Sequence, residues 1–133
     1  MLALLALFVA GLAREAGAAA SITPEEFDRL VTSSAAKSVV VFFYSPNCHF
    51  CTLFDPIFNE TVNDLRDVKD IVMTRVNCKE FNEFCEAQDI TGYPTIRLYR
   101  DMAFSEIRRR PYESWNFKLQ ILERSFSTRP NLD

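Results

Sequence analysis

The segment from residue 39 to residue 58 constrains the fold of this chain most strongly. Residues 39–44 are all β-branched or aromatic, and residues 52–58 carry apolar side chains at helical spacing, with Cys48 and Cys51 between the two stretches. Successive rather than alternating apolar residues are typical of a central strand covered on both faces. The pattern therefore predicts that a buried strand gives way to a helix at two closely spaced thiols, which is a setting for a reactive dithiol.

Size and composition indicate one folded domain. The chain has 133 residues, of which 48% are hydrophobic, and it contains twelve Phe but only three Gly. This length is enough for one domain with a real core and too short for two. The net charge of −3 is too mild to attract nucleic acid, so we expect no nucleic-acid partner.

The first twenty residues differ from the rest. Residues 1–12 are almost wholly apolar and residues 13–20 are rich in small side chains, with A-x-A patterns at 16–18 and 18–20. A bilayer span needs about 20 apolar residues, whereas a secretory signal needs fewer. We therefore predict a signal peptide over residues 1–20, a folded domain over 21–125 and a loose tail over 126–133, with no membrane span in the mature chain. A retained anchor or an N-terminal core helix is the alternative for the first segment.

Helical and strand patterns alternate along the domain. Thr23 followed by Pro24 is typical of a helix start, with Thr23 as the N-cap. The apolar face of the last helix is predicted to carry Trp115, Leu119 and Leu122. The expected elements after the first helix are strand 38–44, helix 48–65, strand 71–77, helix 80–88, strand 95–99, edge strand 103–108 and helix 112–124. This order predicts an α/β domain with a mixed sheet covered on both faces.

The four cysteines are consistent with two disulfides if the chain enters a secretory compartment. Four cysteines allow three pairings, among which sequence alone does not choose, although local spacing favours Cys48 with Cys51 and Cys78 with Cys85. In that compartment the triplet beginning at Asn59 is also a candidate for N-glycosylation, or else a chance match.

A zinc site is the main alternative for a Cys-x-x-Cys pair. A closed zinc site needs four ligands, commonly two such pairs or added histidines. Here Cys78 and Cys85 are seven residues apart, and the one histidine, His49, lies between Cys48 and Cys51. We therefore predict no metal site and keep a small metal-binding protein as the weakest functional alternative.

Several separate motifs carry a resemblance to a known family. They are Phe43-Tyr44-Ser45-Pro46, Cys48-x-x-Cys51, Pro56, Asn77-Cys78 at a strand end, Cys85, and Gly92-Tyr93-Pro94-Thr95. Over about residues 23–122 the chain resembles the thioredoxin fold and, within it, the protein disulfide isomerase family. The resemblance implies a thioredoxin-like α/β fold whose central mixed sheet has four to five strands, with helices on both faces.

The resemblance also implies roles for individual residues. Cys48, at a helix N-terminus that favours an anion, would be the attacking thiolate, and Cys51 the resolving thiol. Pro94 resembles the family's cis-proline, flanked by Tyr93 and Thr95 in a substrate groove. Cys78 and Cys85 match a structural disulfide that occurs in some members.

The sequence departs from the family around its dithiol. The positions that usually hold Trp, Gly, His and Lys hold Asn47, His49, Phe50 and Thr52. His49 is expected either to favour the Cys48 thiolate or to be a solvated loop residue. Phe42 stands where the family usually buries an acidic residue, six positions before Cys48. Arg110 is the best match for an arginine that approaches the resolving thiol, with a solvated basic patch as the alternative.

These features predict a thiol–disulfide oxidoreductase of the secretory pathway. It would form, reduce or isomerise disulfides in cysteine-containing client polypeptides, need no bound cofactor, and exchange electrons with an unidentified redox partner. We expect it in the lumen of the endoplasmic reticulum, with secretion as an alternative because the C-terminus lacks a KDEL-type signal. The other functional hypothesis is a thioredoxin-fold chaperone or escort that traps clients with little turnover.

Overall fold

The computed structural model describes residues 19–33, 38–108 and 113–127. Helices and strands alternate along these residues before a closing hairpin and helix. The elements are α1 (Pro24–Thr32), β1 (Ser38–Tyr44), α2 (His49–Leu65), β2 (Ile71–Asn77), α3 (Asn82–Ala87), β3 (Thr95–Arg100), β4 (Ala103–Glu106) and α4 (Ser114–Phe126). The predicted signal segment up to residue 18 and the tail from residue 128 lie outside the described residues.

The strands of the described residues form one mixed sheet in the order β2-β1-β3-β4. Strand β1 is parallel to β2 and antiparallel to β3, which pairs in turn with the antiparallel edge strand β4. The predicted fold class, a thioredoxin-like α/β fold with a central mixed sheet, is therefore confirmed, with four strands in the sheet.

Strand β1 lies at the centre of two hydrophobic clusters, one on each face of the sheet. Val40 and Phe42 pack in the cluster that includes α2 and α4, whereas Val39, Val41 and Phe43 pack in the cluster that includes α1 and α3. Successive side chains of a strand point to opposite faces. Both faces are covered by helices, which is why β1 is apolar at successive positions.

Helix α1 begins as the sequence predicts. Thr23 is its N-cap, and the Thr23 hydroxyl accepts a hydrogen bond from the Glu26 backbone N–H at 3.2 Å. Pro24 occupies the first helical position, where a missing N–H is not needed. The buried Phe27 ring then packs edge-on against Phe84 and Tyr99, which fixes α1 against the sheet.

The predicted apolar face of the closing helix is wrong at two of its three residues, whereas Leu122 packs against the core as predicted. Phe117 and Ile121 are fully buried, whereas Trp115 is 64% exposed and Leu119 is 46% exposed. The Phe117 ring meets the Phe54 ring of α2 edge-on at 5.1 Å, so the aromatic residues of α2 select which side of α4 turns inward. The helix also extends to Phe126, one residue into the predicted loose tail.

Residues that precede the first helix already contact the folded domain. Ala19 belongs to the core cluster of α2 and α4, and the Ile22 backbone N–H donates to the Arg75 carbonyl at 2.9 Å. The core of the described residues thus includes Ala19, two positions before the predicted boundary at residue 21. Among the described residues, none of the helices has the length and apolar character needed to cross a membrane.

Candidate active site

The junction between β1 and α2 places the Cys48 sulfur at a helix N-terminus. Cys48 is the N-cap of α2, with an extended backbone, and its Sγ accepts a hydrogen bond from the Cys51 backbone N–H at 3.1 Å. Unpaired backbone N–H groups and the positive end of the helix dipole stabilise a negative charge at this position. The donor end of α2 is therefore directed at the Cys48 sulfur.

The two cysteines of this pair differ in access. Cys48 is half-buried, whereas Cys51 is 5% exposed and belongs to the core cluster of α2 and α4. No disulfide joins them in this structure. Cys48 is thus the more accessible of the two residues.

The residues between the two cysteines face the solvent. His49 is exposed, Phe50 is 55% exposed, and their ring centroids are 5.7 Å apart. Leu53, in the same part of α2, is 57% exposed. An apolar rim therefore lies beside the dithiol, where a polar first turn would be expected on an ordinary surface helix.

The loop before β3 reaches the same end of the sheet. The Tyr93–Pro94 peptide bond is cis, Pro94 is buried and Tyr93 is half-buried. Thr95 pairs with Phe43 in the antiparallel ladder, so Pro94 lies across from Tyr44, where β1 ends and the chain turns towards Cys48. The fold thus brings the Tyr93-Pro94-Thr95 segment to the end of the central strands at which the dithiol lies.

A cavity of about 260 Å³ lies behind the dithiol. Its walls include Phe42, Cys51, Asp55 and Arg75. Phe42 is 1% exposed and packs edge-on against Phe54, so β1 supplies no ionisable group at this position. The charged groups of the cavity come instead from α2 and β2.

Arg75 and Asp55 were not predicted as site residues. The Arg75 Nη1 donates to the Asp55 carboxylate at 2.5 Å, and the Nη2 donates to the Asn59 side-chain oxygen at 2.6 Å. The guanidinium also lies 5.6 Å from the Phe42 ring centroid and 5.3 Å from that of Phe58. A charged residue within the apolar strand β2, and an acid four residues after Cys51, are the sequence signals that identify this pair.

The second cysteine pair lies elsewhere in the fold. Cys78, directly after β2, is joined by a disulfide to Cys85 in α3, with the two Cα atoms 5.7 Å apart. Each of these residues is 1% exposed, and both belong to the cluster that contains Phe43 and Tyr99. The bond ties a strand end to the following short helix.

The candidate glycosylation triplet lies inside α2. The Asn59 side chain is held between Asp55 and Arg75, with its Nδ2 donating to Asp55 Oδ2 at 3.3 Å. Thr61 is fully buried, and its hydroxyl donates to the Ile57 carbonyl at 2.9 Å. A glycan at Asn59 would therefore have to be attached before this helix packs. Arg110, the other predicted modulating residue, lies outside the described residues.

Among the described residues, no group of three or more His, Cys, Asp or Glu side chains is placed so that it could hold a metal ion. The Cys48–Cys51 pair has no third ligand from these residue types in that part of the chain, and closed zinc sites need four.

Comparisons with known proteins identify the family to which the chain is similar. Residues 18–113 match the family model described as thioredoxin. The chain is 31% identical over 97 residues to DnaJ homolog subfamily C member 10 of Mus musculus, a match that covers 72% of the chain and 12% of that relative. It is 30% identical over 99 residues to protein disulfide-isomerase 1 of Dictyostelium discoideum, covering 72% of the chain and 27% of the relative.

A solved structure gives the same result. The first thioredoxin domain of mouse protein disulfide-isomerase A4 has a TM-score of 0.72 and 19% identity, with 84% of this chain and 79% of that domain covered. This likeness shows the fold. The chain spans only 12% and 27% of the length of the two sequence relatives, which are longer proteins. Together with the match over residues 18–113, these findings confirm the predicted resemblance: the chain belongs to the thioredoxin family, with protein disulfide isomerases among its relatives.

Proposed function

We propose that this protein is a thiol–disulfide oxidoreductase that acts on cysteine-containing client polypeptides, with Cys48 as nucleophile and Cys51 as resolving thiol. The observation that carries the proposal is the hydrogen bond from the Cys51 N–H to the Cys48 Sγ at the start of α2. It directs a helix N-terminus at the more accessible of the two sulfurs. The cis Tyr93–Pro94 segment at the same end of the central strands supports a groove for an extended client.

The proposed exchange has two steps. The Cys48 thiolate attacks one sulfur of a client disulfide, forming a mixed disulfide and releasing the other client sulfur as a thiolate, which takes up a proton. Cys51 then loses its proton and attacks the Cys48 sulfur. The Cys48–Cys51 disulfide forms, the second client thiolate leaves, and the client has gained the two electrons that the dithiol lost. Run in reverse, the same steps oxidise a client dithiol.

The secretory pathway is the proposed location, in the endoplasmic reticulum lumen or beyond it. The apolar segment over residues 1–12 supports this location, as does the buried Cys78–Cys85 disulfide, because such bonds persist in oxidising compartments. In that setting an unidentified redox partner would return the Cys48–Cys51 pair to its starting oxidation state after each turnover. Clients would be recognised through their cysteines and extended backbone.

Insulin reduction by dithiothreitol and refolding of a scrambled disulfide protein test the proposal. We expect wild-type protein to accelerate both reactions and the Cys48→Ser variant to accelerate neither. The Ser hydroxyl can still cap α2, so the variant keeps the fold and serves as its own structural control. A wild type that is no faster than Cys48→Ser would refute the proposed activity.

A second candidate function is a chaperone or escort that traps clients with little turnover. The exposed Phe50 and Leu53 beside the dithiol favour it, because an apolar rim can hold an unfolded segment. Comparing wild type with Cys51→Ser distinguishes the two functions. An enzyme accumulates mixed disulfides with clients only when Cys51 is removed, whereas an escort accumulates them in both proteins.

A further inference from the structure

The resolving step requires Cys51 to give up a proton in a largely buried place. Cys51 is 5% exposed and is walled on the β1 side by Phe42, which accepts no proton. A thiol attacks a disulfide only as the thiolate, so the rate of resolution depends on what takes this proton. The cavity behind the dithiol is where an acceptor has to be sought.

Asp55 supplies the one carboxylate among the described residues that line this cavity. It follows Cys51 by four residues in α2, so the two side chains share one face of the helix. The other residues with titratable or charged side chains that line the cavity, besides Cys51, are Tyr44 at the end of β1 and Arg75 of β2. Cys48 lies about one helical turn before Cys51, at the N-cap of α2.

Two neighbours hold the carboxylate in place. Arg75 donates to Asp55 Oδ1 at 2.5 Å, and Asn59 donates to Asp55 Oδ2 at 3.3 Å. The Asp55 side chain keeps 42% exposure, whereas that of Arg75 keeps 14%. The carboxylate is therefore fixed at the cavity wall with access to water, and its charge is balanced by a group that stays protonated at all relevant pH values.

The cavity has room and polar groups for water. Its volume of about 260 Å³ exceeds several times the roughly 30 Å³ that one water occupies in the liquid. Arg75 Nε is buried and has no hydrogen-bond partner among the described residues. Arg75, Asp55 and Cys51 thus line the same solvent-open space, where a water can bridge polar groups as a shared hydrogen-bond partner.

We propose that Asp55, held by Arg75 and Asn59, accepts the Cys51 proton through water in this cavity and thereby replaces the acidic side chain that Phe42 excludes from β1. The proposal rests on the proposed function and concerns its second step. The Cys51 S–H proton passes to water while that water gives a proton to Asp55. The thiolate bonds to the Cys48 sulfur, the bond between Cys48 and the client sulfur breaks, and the client thiolate leaves. Asp55 later returns its proton to solvent.

The test separates the two steps with oxidised glutathione as the probe. Attack by Cys48 is timed in a Cys51→Ser background, and resolution is timed as release of the second glutathione in proteins that keep Cys51. When Asp55→Asn is added to the Cys51→Ser background, we expect the rate of attack by Cys48 to stay within about twofold of the rate in that background alone. The rate of resolution at pH 7 should fall about tenfold, which is less than the roughly 100- to 10,000-fold contribution of a directly positioned base, because water intervenes here.

The pH profile distinguishes proton transfer from a merely structural role. The tenfold loss should shrink towards alkaline pH, because hydroxide then removes the thiol proton without Asp55. Asp55→Glu keeps a carboxylate and should restore resolution at pH 7 to within about threefold of wild type. An Asp55→Asn loss that is equally large at every pH, or no loss at pH 7, would overturn the proposal.

The matched control is Asp64→Asn. Asp64 is also an ion-paired acid of α2, it bonds Lys118 at 3.4 Å, and its side chain has the same 42% exposure, but it does not line the cavity. We expect both steps to be unchanged in this variant, and a loss of resolution equal to that of Asp55→Asn would also refute the role of Asp55. A Cys51→Ser background that forms no mixed disulfide with glutathione would instead refute the proposed function, because Cys48 would then fail to attack. Circular dichroism establishes that each variant is folded.

Discussion

The two cysteine pairs of this protein are made of the same residue and sit in opposite environments. Cys48 and Cys51 carry no disulfide, and Cys48 is half-buried at the N-terminus of a helix. Cys78 and Cys85 are bonded to each other and are each 1% exposed in an aromatic and aliphatic cluster. Spacing contributes to the difference, since three residues fit one helical turn whereas seven join a strand end to the next helix.

The contrast teaches that placement determines which pair can exchange. A helix N-cap offers a sulfur backbone donors and access to other disulfides, and both favour reaction. A core cluster offers neither, but it allows a bond to limit the freedom of the unfolded chain. The first pair is therefore expected to control activity and the second to control stability.

The largest expected difference lies in the rates at which the two disulfides are reduced. Starting from fully oxidised protein, we expect dithiothreitol to reduce Cys48–Cys51 at least about 100-fold faster than Cys78–Cys85. Reduction of the second bond must await an opening of the core that costs several kcal/mol. Sequential labelling of thiols with two alkylating reagents, followed by peptide mass spectrometry, gives both rates. Similar rates would mean that burial does not separate the pairs.

Removal of the core disulfide should lower stability without abolishing exchange. We expect the Cys78→Ala/Cys85→Ala variant to lose about 2–3 kcal/mol of unfolding free energy, chiefly because its unfolded chain is less restricted. Urea unfolding measures the loss, and insulin reduction below the unfolding transition should proceed at nearly the wild-type rate. The control is Cys48→Ser, which keeps a cap for α2 and leaves the buried Cys51 in place, so the opposite result is expected: nearly wild-type stability and no activity. A core-disulfide variant that is folded yet inactive would break the comparison.

A smaller effect should come from the Cys48 sulfur as a helix cap. Both Cys48→Ala and Cys48→Ser remove the nucleophile, but only serine keeps a side-chain acceptor for the Cys51 N–H. We therefore expect the alanine variant to be less stable than the serine variant by about 1 kcal/mol, the usual cost of losing an N-cap acceptor. Thermal or urea unfolding of the two reduced variants measures the difference. Equal stability would show that the hydrogen bond contributes little to the fold.

Much of the fold could be predicted because the local signals agree with the tertiary structure. Strand β2 begins and ends at the predicted residues, Ile71 and Asn77, and Thr23 caps α1 as expected. The face of α4 could not be predicted, since its sequence offers two apolar faces at helical spacing. Contact of Phe117 with the aromatic residues of α2 decides between them, and that contact depends on how two distant segments pack.

The site could be predicted only in part for a similar reason. The positions of Cys48 and Cys51 follow from a local strand-to-helix transition, which the sequence reveals. The pairing of Asp55 with Arg75 depends on α2 lying across β2, so the two residues meet although they are 20 positions apart. A family pattern focuses attention on Phe42, the position that departs from it. Asp55, the carboxylate proposed to compensate for Phe42, lies on α2 and not on β1.

The smallest predicted effect concerns the cluster around the core disulfide. Burial raises the pKa of the Tyr99 hydroxyl above its ordinary value, although the hydrogen bond and charge of Arg97 partly oppose the change. In the unfolded chain tyrosine ionises near pH 10, while folded Tyr99 keeps its proton to higher pH. The unfolded state then binds fewer protons, so the unfolding free energy that is fully present below about pH 10 decreases as the pH rises above it.

Replacement of Tyr99 by phenylalanine should therefore flatten this alkaline decrease. Urea unfolding across pH 9 to about 11 measures it, in a Cys48→Ser/Cys51→Ser background where no thiol can attack the core disulfide. Both proteins contain the same lysines and other tyrosines, so the difference between their slopes isolates Tyr99. A Tyr99→Phe variant with an unchanged slope would show that the hydroxyl ionises equally easily in both states. The cluster around Cys78 and Cys85 would then be more accessible to solvent than its 1% exposures indicate, and the division between the two pairs would weaken.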